Sequence, residues 1–296
     1  MKKFIYKSLF FSFLSGLILS IFLITMGGYI DYFYVKFTTP KAKSMIFGDS
    51  RSLQGIQPKI INKYFDKNEF ELPMFNYSFT IAQISYDSLY LSSIKKKIDT
   101  TAKRGLFILS VHPWVLSERQ KSLKNVPPHN MNCVTCNPNF EYFFKNLRYF
   151  HFRSIIRRTS KLHKDGWLEE RNLPKDTNAL KKGLLHQIKM YKGFSKKWKV
   201  SKKMLGTLEE TINYLKKFGT VILVRMPVDD KIKEIENKYW KDFEQDIKKI
   251  TNRTQVQYIS FFRNKLKYKT YDGNHLDKYG GVPFTKDLCK RILLKK

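Results

Sequence analysis

Five short apolar runs, at residues 45–47, 74–79, 106–111, 220–228 and 256–261, recur along this chain with helix-like stretches between them. The third, 106–111, is continuously apolar apart from Ser110, the pattern of a strand buried on both faces of a parallel sheet. Between the runs, apolar residues keep helical spacing, as in Met204, Leu208, Ile212 and Leu215 or in Phe284, Leu288 and Ile292. Helices are expected over 84–99, 202–217, 229–250 and 283–294, and a crossover helix over 51–65 begins irregularly because of Gly55 and Pro58. Strands alternating with helices require crossover connections. The predicted fold class is therefore α/β, a doubly wound, mainly parallel five-stranded sheet.

Residues 8–30 contain no charged side chain and are dominated by Leu, Ile and Phe. About 20 such residues cross the hydrocarbon core as a helix. The run is too long for the apolar region of a signal peptide, and no small-residue cleavage pattern follows it, so it reads as an uncleaved transmembrane anchor. Lys2, Lys3 and Lys7 precede it and predict a cytoplasmic N-terminus with the remainder exported across the membrane. The expected organisation is a tail at 1–7, an anchor at 8–30, a juxtamembrane linker at 31–42 and an α/β domain at 43–296. An insertion of helices and loops, without further strands, is expected at about 117–199. It carries paired prolines and a basic-aromatic stretch at 143–158. Long insertions of this kind act as lids or binding surfaces, or are disordered, and the aromatics argue for order.

A formal net charge of +31 over 296 residues suggests an anionic partner. Lys outnumbers Arg, and Ile, Asn, Phe and Tyr are also abundant, a composition that AT-rich coding produces without any partner. The anchor places the basic domain outside the cytoplasm, which argues against a nucleic-acid binder. Cys133-x-x-Cys136 lacks the second pair that a zinc site requires, leaving a local disulfide, a redox pair or two plain thiols. Outside the cytoplasm the disulfide is favoured. Cys289 reads as a core residue of the last helix. No metal and no cofactor is expected.

The chemistry-bearing residues sit where the runs end. The segment KSMIFGDSRSLQGIQP, 43–58, delivers Ser50 at the end of the first run, and YDGNHLDKYGGVPFT supplies Asp272 and His275 ahead of the last helix. A serine nucleophile needs a base to take its proton and a carboxylate to orient that base. Ser78 ends the second run and His112 the third, so these residues converge on one sheet edge, where ligands of doubly wound sheets bind. Asp277, two residues beyond His275 and just before a helix, reads as a helix cap in preference to a second orienter of His275. Arg51 and Arg225 are candidates to grip an anionic substrate group or to form salt bridges, and Trp114 and Trp167 to stack on sugar rings or to pack internally.

With strand-GDS near the start and DxxH before the last helix, residues 43–296 resemble the SGNH (GDSL-like) hydrolase superfamily. GDSRS, the anchor and HLDKYGGVPFT look most like membrane-anchored SGNH-like proteins of surface-polysaccharide O-acylation and teichoic-acid D-alanylation. The resemblance implies a flavodoxin-like SGNH fold, with Ser50 as nucleophile, His275 as base and Asp272 as its orienter. It also implies oxyanion donors from the Ser50 N–H, from Ser78 in the second block, where glycine is usual, and from His112 in the third, where asparagine is usual. Asn76 is a further candidate donor. The implied activity is a membrane-anchored, extracytoplasmic serine acyltransferase or esterase acting on O-acyl groups of a cell-surface polysaccharide. The alternative is a non-catalytic polymer-binding partner of a membrane-bound O-acyltransferase.

Overall fold

The computed structural model describes residues 1–30, 33–66, 68–119, 129–146, 160–262 and 268–294. Most of the basic-aromatic stretch at 143–158, and the paired prolines, lie outside the described residues. The chain forms two compact units, one from residues 1–40 with 131–158 and the other from 41–130 with 159–296.

The first unit holds the helix α1 (Lys2–Ile30), long and apolar enough to cross a membrane. Twenty-nine residues at about 1.5 Å each give roughly 44 Å, more than the ~30 Å hydrocarbon core. After it, a single 3-10 turn (Tyr34–Phe37) packs against a short helix, Phe140–Asn146. Asn139 organises this contact: its backbone N–H donates to Tyr34 Oη at 2.9 Å, and its amide donates to the carbonyls of Phe37 and Cys133. Tyr142 stacks on Phe37. Cys133 and Cys136 are joined by a disulfide.

The second unit is built on a five-stranded sheet of β1 (Ser44–Phe47), β2 (Met74–Asn76), β3 (Gly105–Ser110), β4 (Gly219–Arg225) and β5 (Gln257–Ser260). The order is β2-β1-β3-β4-β5 and every pairing is parallel, the flavodoxin-like arrangement of a doubly wound sheet. Side chains alternate across a strand. Ile46, Ile108, Ile222, Val224 and Ile259 therefore share one face, in a cluster with Ile61, Phe284, Leu288 and Ile292 from the helices beneath. Met45, Phe47, Phe107 and Leu109 are equally buried on the opposite parity. Strand order reverses between β1 and β3, so the carboxyl end of β1 opens at the switch point.

Three helix expectations change. The crossover after β1 is two helices, Ser50–Gly55 and Pro58–Tyr64, because Pro58 holds Gln57 in an extended conformation between them. The segment expected as one helix over 229–250 breaks at Trp240, giving Asp230–Tyr239 and Phe243–Thr254. In a continuous helix Glu236 and Glu244 would lie about 12 Å apart along the axis. The break buries Trp240 and brings both carboxylates within reach of Arg225. The last helix, Lys278–Leu293, starts before Pro283 because the Asp277 carboxylate accepts from the N–H groups of Tyr279 and Gly280.

The insertion is not free of strands. Ser117–Glu118 pairs with Lys199–Val200, and Ser160–Leu162 with Leu168–Glu170, both antiparallel. Segments of two or three residues carry no readable alternation. The insertion also contains a helix, Thr177–Lys197, whose N-cap is Asp176.

Candidate active site

The site begins with the backbone after β1. Gly48 has φ +139°, and a Cβ there would meet Ser52 Oγ at 2.5 Å and Ser110 Cβ at 2.7 Å, so only glycine allows the chain to turn so sharply. Asp49 then caps the short helix by accepting from Arg51 N at 3.1 Å, and Ser50 is that helix's first residue. Tyr90 fixes the turn from behind, accepting from Gly48 N and donating to Tyr77 O.

The second half comes from the loop after β5. Asp272 Oδ1 accepts from the backbone N–H groups of Asn274 (2.9 Å) and His275 (2.8 Å), and Gly273 turns the chain at φ +83°. Asp272 Oδ2 accepts from His275 Nδ1 at 2.7 Å and from the Gln187 amide at 2.9 Å. With Nδ1 donating, Nε2 is the acceptor, and Ser50 Oγ lies 2.8 Å from it. Burial would raise the Asp272 carboxyl. The His275 ring and the two backbone donors outweigh it and hold the carboxyl below its usual range. Tyr271 stacks on the His275 ring and donates to Gln54 Oε1, tying this loop to the serine helix. Hydroxyl, imidazole and carboxylate thus form a continuous chain with Ser50 9 %, His275 8 % and Asp272 8 % exposed. That leaves a narrow approach to the hydroxyl.

The candidate oxyanion donors are mostly committed elsewhere. Ser78 N donates to Asn76 Oδ1 at 3.0 Å, and the Asn76 amide donates to Ser52 O and Ile56 O. Ser78 Oγ accepts from Ser52 Oγ. His112 lies 2.9 Å from Asp49 Oδ2 through Nε2, while its Nδ1 has no partner among the described residues. Burial, reinforced by the Arg51 guanidinium, pushes His112 below its usual value, so the ring is neutral and donates to Asp49. Burial would raise Asp49 in turn, but His112 and Arg51 outweigh it and hold it at about 2. The Ser50 N–H lies in the first turn of its helix.

The substrate-gripping candidates require correction. Arg51 and Arg225 are each 1 % exposed and share the buried carboxylate of Glu236, at 2.7 Å and 2.8 Å. Arg225 also pairs with Glu244 at 2.7 Å. Guanidiniums sealed into such a network present nothing to a polymer. Trp114 is wholly buried, stacked between Tyr191 and Tyr239. Trp167 stacks on His163 and donates from its indole nitrogen to Gln54 O, bracing the Ser160–Glu170 ribbon against the serine helix.

Sequence reasoning missed Gln187, Tyr191, Glu236 and Asn274. The first three are single polar residues within amphipathic helices and carry no motif. Asn274 stands between Asp272 and His275 and was legible as part of that motif. A cavity of about 860 Å³ lies between the Thr177–Lys197 and Asp230–Tyr239 helices, lined by Leu185, Ile188, Lys192 and Ile235 among others, with none of Ser50, Asp272 or His275 in its wall.

The fold and site together define a doubly wound α/β protein carrying a Ser-His-Asp arrangement at its switch point. No family model matches the chain, and no curated protein matches it. Among solved structures it is similar to a lipase/acylhydrolase from Enterococcus faecalis, with TM-score 0.41 and 10 % identity over 86 % of this chain and 97 % of that one. It is also similar to Est24, a carbohydrate acetylesterase from Sinorhizobium meliloti, with TM-score 0.39 and 9 % identity over 86 % and 99 %. A putative GDSL-like lipase from Parabacteroides merdae gives TM-score 0.35 and 11 % identity over 88 % and 100 %.

Proposed function

We propose that this chain is a membrane-anchored, extracytoplasmic serine acyltransferase or esterase of the SGNH type, acting on O-acyl groups of a cell-surface polysaccharide. The observation that carries the chemistry is the Ser50 Oγ to His275 Nε2 to Asp272 hydrogen-bond chain, at 2.8 and 2.7 Å. In the reaction Ser50 Oγ attacks the acyl carbonyl while its proton passes to His275 Nε2. Asp272 holds the ring in the tautomer that leaves Nε2 unprotonated and stabilises the imidazolium once formed. The proton then goes to the leaving sugar oxygen as the acyl-serine forms. A second hydroxyl, from sugar or water, reverses the sequence.

The anchor and topology rest on the apolar α1 with Lys2, Lys3 and Lys7 before its uncharged run, and the Cys133–Cys136 disulfide suits an oxidising compartment. The polysaccharide substrate rests on the GDSRS and HLDKYGGVPFT resemblance. A second reading, a non-catalytic partner of a membrane-bound O-acyltransferase, draws on the commitment of Ser78, Asn76 and His112 to other bonds. Turnover of an acetylated sugar ester by the detergent-solubilised protein separates the two. The enzyme reading expects hydrolysis or transfer that Ser50→Ala abolishes; a wild-type rate no higher than that of Ser50→Ala supports the partner reading instead.

A further inference from the structure

We infer that the side-chain amide of Asn274 is the oxyanion donor of this site, an inference that rests on the serine acyl-transfer reading above. The direction in which the amide points is fixed by its neighbours. Asn274 Oδ1 accepts from Arg51 Nε at 2.8 Å and from Tyr191 Oη at 2.8 Å. Arg51 is always a donor, so the oxygen must lie on that side and the NH2 on the other. The NH2 lies 3.0 Å from His275 Nε2.

His275 Nε2 therefore offers one lone pair to two donors, the Ser50 hydroxyl at 2.8 Å and the Asn274 amide at 3.0 Å. Chemistry resolves that competition. As Ser50 Oγ bonds to the acyl carbon, the carbonyl π pair moves onto oxygen and the hydroxyl proton moves to Nε2. The lone pair that Asn274 used no longer exists, and its N–H is released in the step that creates the oxyanion beside it. An interaction available to the transition state and absent from the ground state raises kcat without tightening substrate binding. When the intermediate collapses, the C–O bond to the leaving oxygen breaks, that oxygen takes the proton from Nε2, and Asn274 regains its resting acceptor.

The supporting shell is built for this. Arg51, which holds the amide oxygen, is itself held by Glu236, and Glu236 by Arg225. Asn274 is 2 % exposed, and its backbone N–H is bound by the same Asp272 carboxylate that orients His275. With the Ser78 N–H, the Asn76 amide and His112 otherwise engaged, Asn274 and the Ser50 N–H make a two-donor hole.

The test compares wild type, Asn274→Ala and Asn274→Asp, each as the full chain in detergent. The Asp variant retains an oxygen for Arg51 and Tyr191 but has no N–H to give, so it keeps the test decisive should the Ala variant fold poorly. The measurements are kcat and KM for a chromogenic acetyl ester, inhibition by a boronic acid that forms a tetrahedral anion on Ser50, and thermal unfolding. Both variants are expected to lose about 10²- to 10³-fold in kcat. KM should change little, boronate affinity should fall in parallel with kcat, and the Asp variant should unfold near the wild-type temperature. A folded Asp variant with kcat and boronate affinity close to wild type overturns the assignment of Asn274 alone. A wild type inert to both ester and boronate overturns the serine reading and this inference together.

Discussion

Glu236→Gln removes the one negative charge between two buried guanidiniums. Glu236 is fully buried and its two oxygens meet Arg51 at 2.7 Å and Arg225 at 2.8 Å. Burial alone would raise this carboxyl. Arg51 and Arg225 outweigh it and hold it at about 2, against an ordinary value of 4.5. A depression of that size corresponds to about 3 kcal/mol of folding stability, present above the unfolded value and lost as pH falls through about 2. An independent route gives a similar figure, since deleting one partner of a buried ion pair costs about 3–5 kcal/mol. For a domain of this size the melting temperature should drop by about 10 °C. The four tryptophans, Trp114, Trp167, Trp198 and Trp240, all belong to the α/β unit, so their fluorescence in urea or on heating reports its unfolding alone. The gap between wild type and variant should narrow as pH falls from about 5 towards 2, because protonation does to the wild type what the substitution does to the variant. A loss below about 1 kcal/mol at pH 7, or a gap independent of pH, would refute the assignment of this network as a charge-balanced support for the site.

Asp272→Asn keeps a side chain of the same shape but favours the wrong His275 tautomer, and kcat for an acyl ester should fall by about 10⁴-fold with the fold intact by circular dichroism. Gly48→Ala forces a Cβ into Ser52 Oγ at 2.5 Å and Ser110 Cβ at 2.7 Å at a φ of +139°. It should destabilise by about 2–4 kcal/mol in urea unfolding and slow acylation of Ser50 by displacing the turn before it.

The long apolar strands and the DxxH loop were legible because their signals are local. A run such as 106–111 has no alternative to burial, and Asp272 and His275 share a loop that the Asp272 carboxylate closes by accepting from the backbone N–H groups of Asn274 and His275. What was illegible depends on partners far away in the chain. Arg51 follows the candidate nucleophile and reads equally as a substrate clamp or a salt-bridge partner until Glu236, 185 residues on, is seen to neutralise it. Glu236 in turn could not be assigned while residues 229–250 read as one helix, because only the break at Trp240 brings Glu236 and Glu244 to the same guanidinium. Gln187 reaches Asp272 from a helix in the insertion, where nothing in the spacing marks one glutamine from its neighbours.

Covalent labelling by a serine-directed fluorophosphonate, with the modified peptide located by mass spectrometry, asks whether Ser50 is an activated nucleophile. The reagent needs an activated hydroxyl rather than a guess at the natural acyl group. One adduct is expected, on the peptide containing Ser50, lost in Ser50→Ala and strongly slowed in His275→Ala. Well-folded wild-type protein that remains unlabelled, or labels elsewhere, would contradict that expectation.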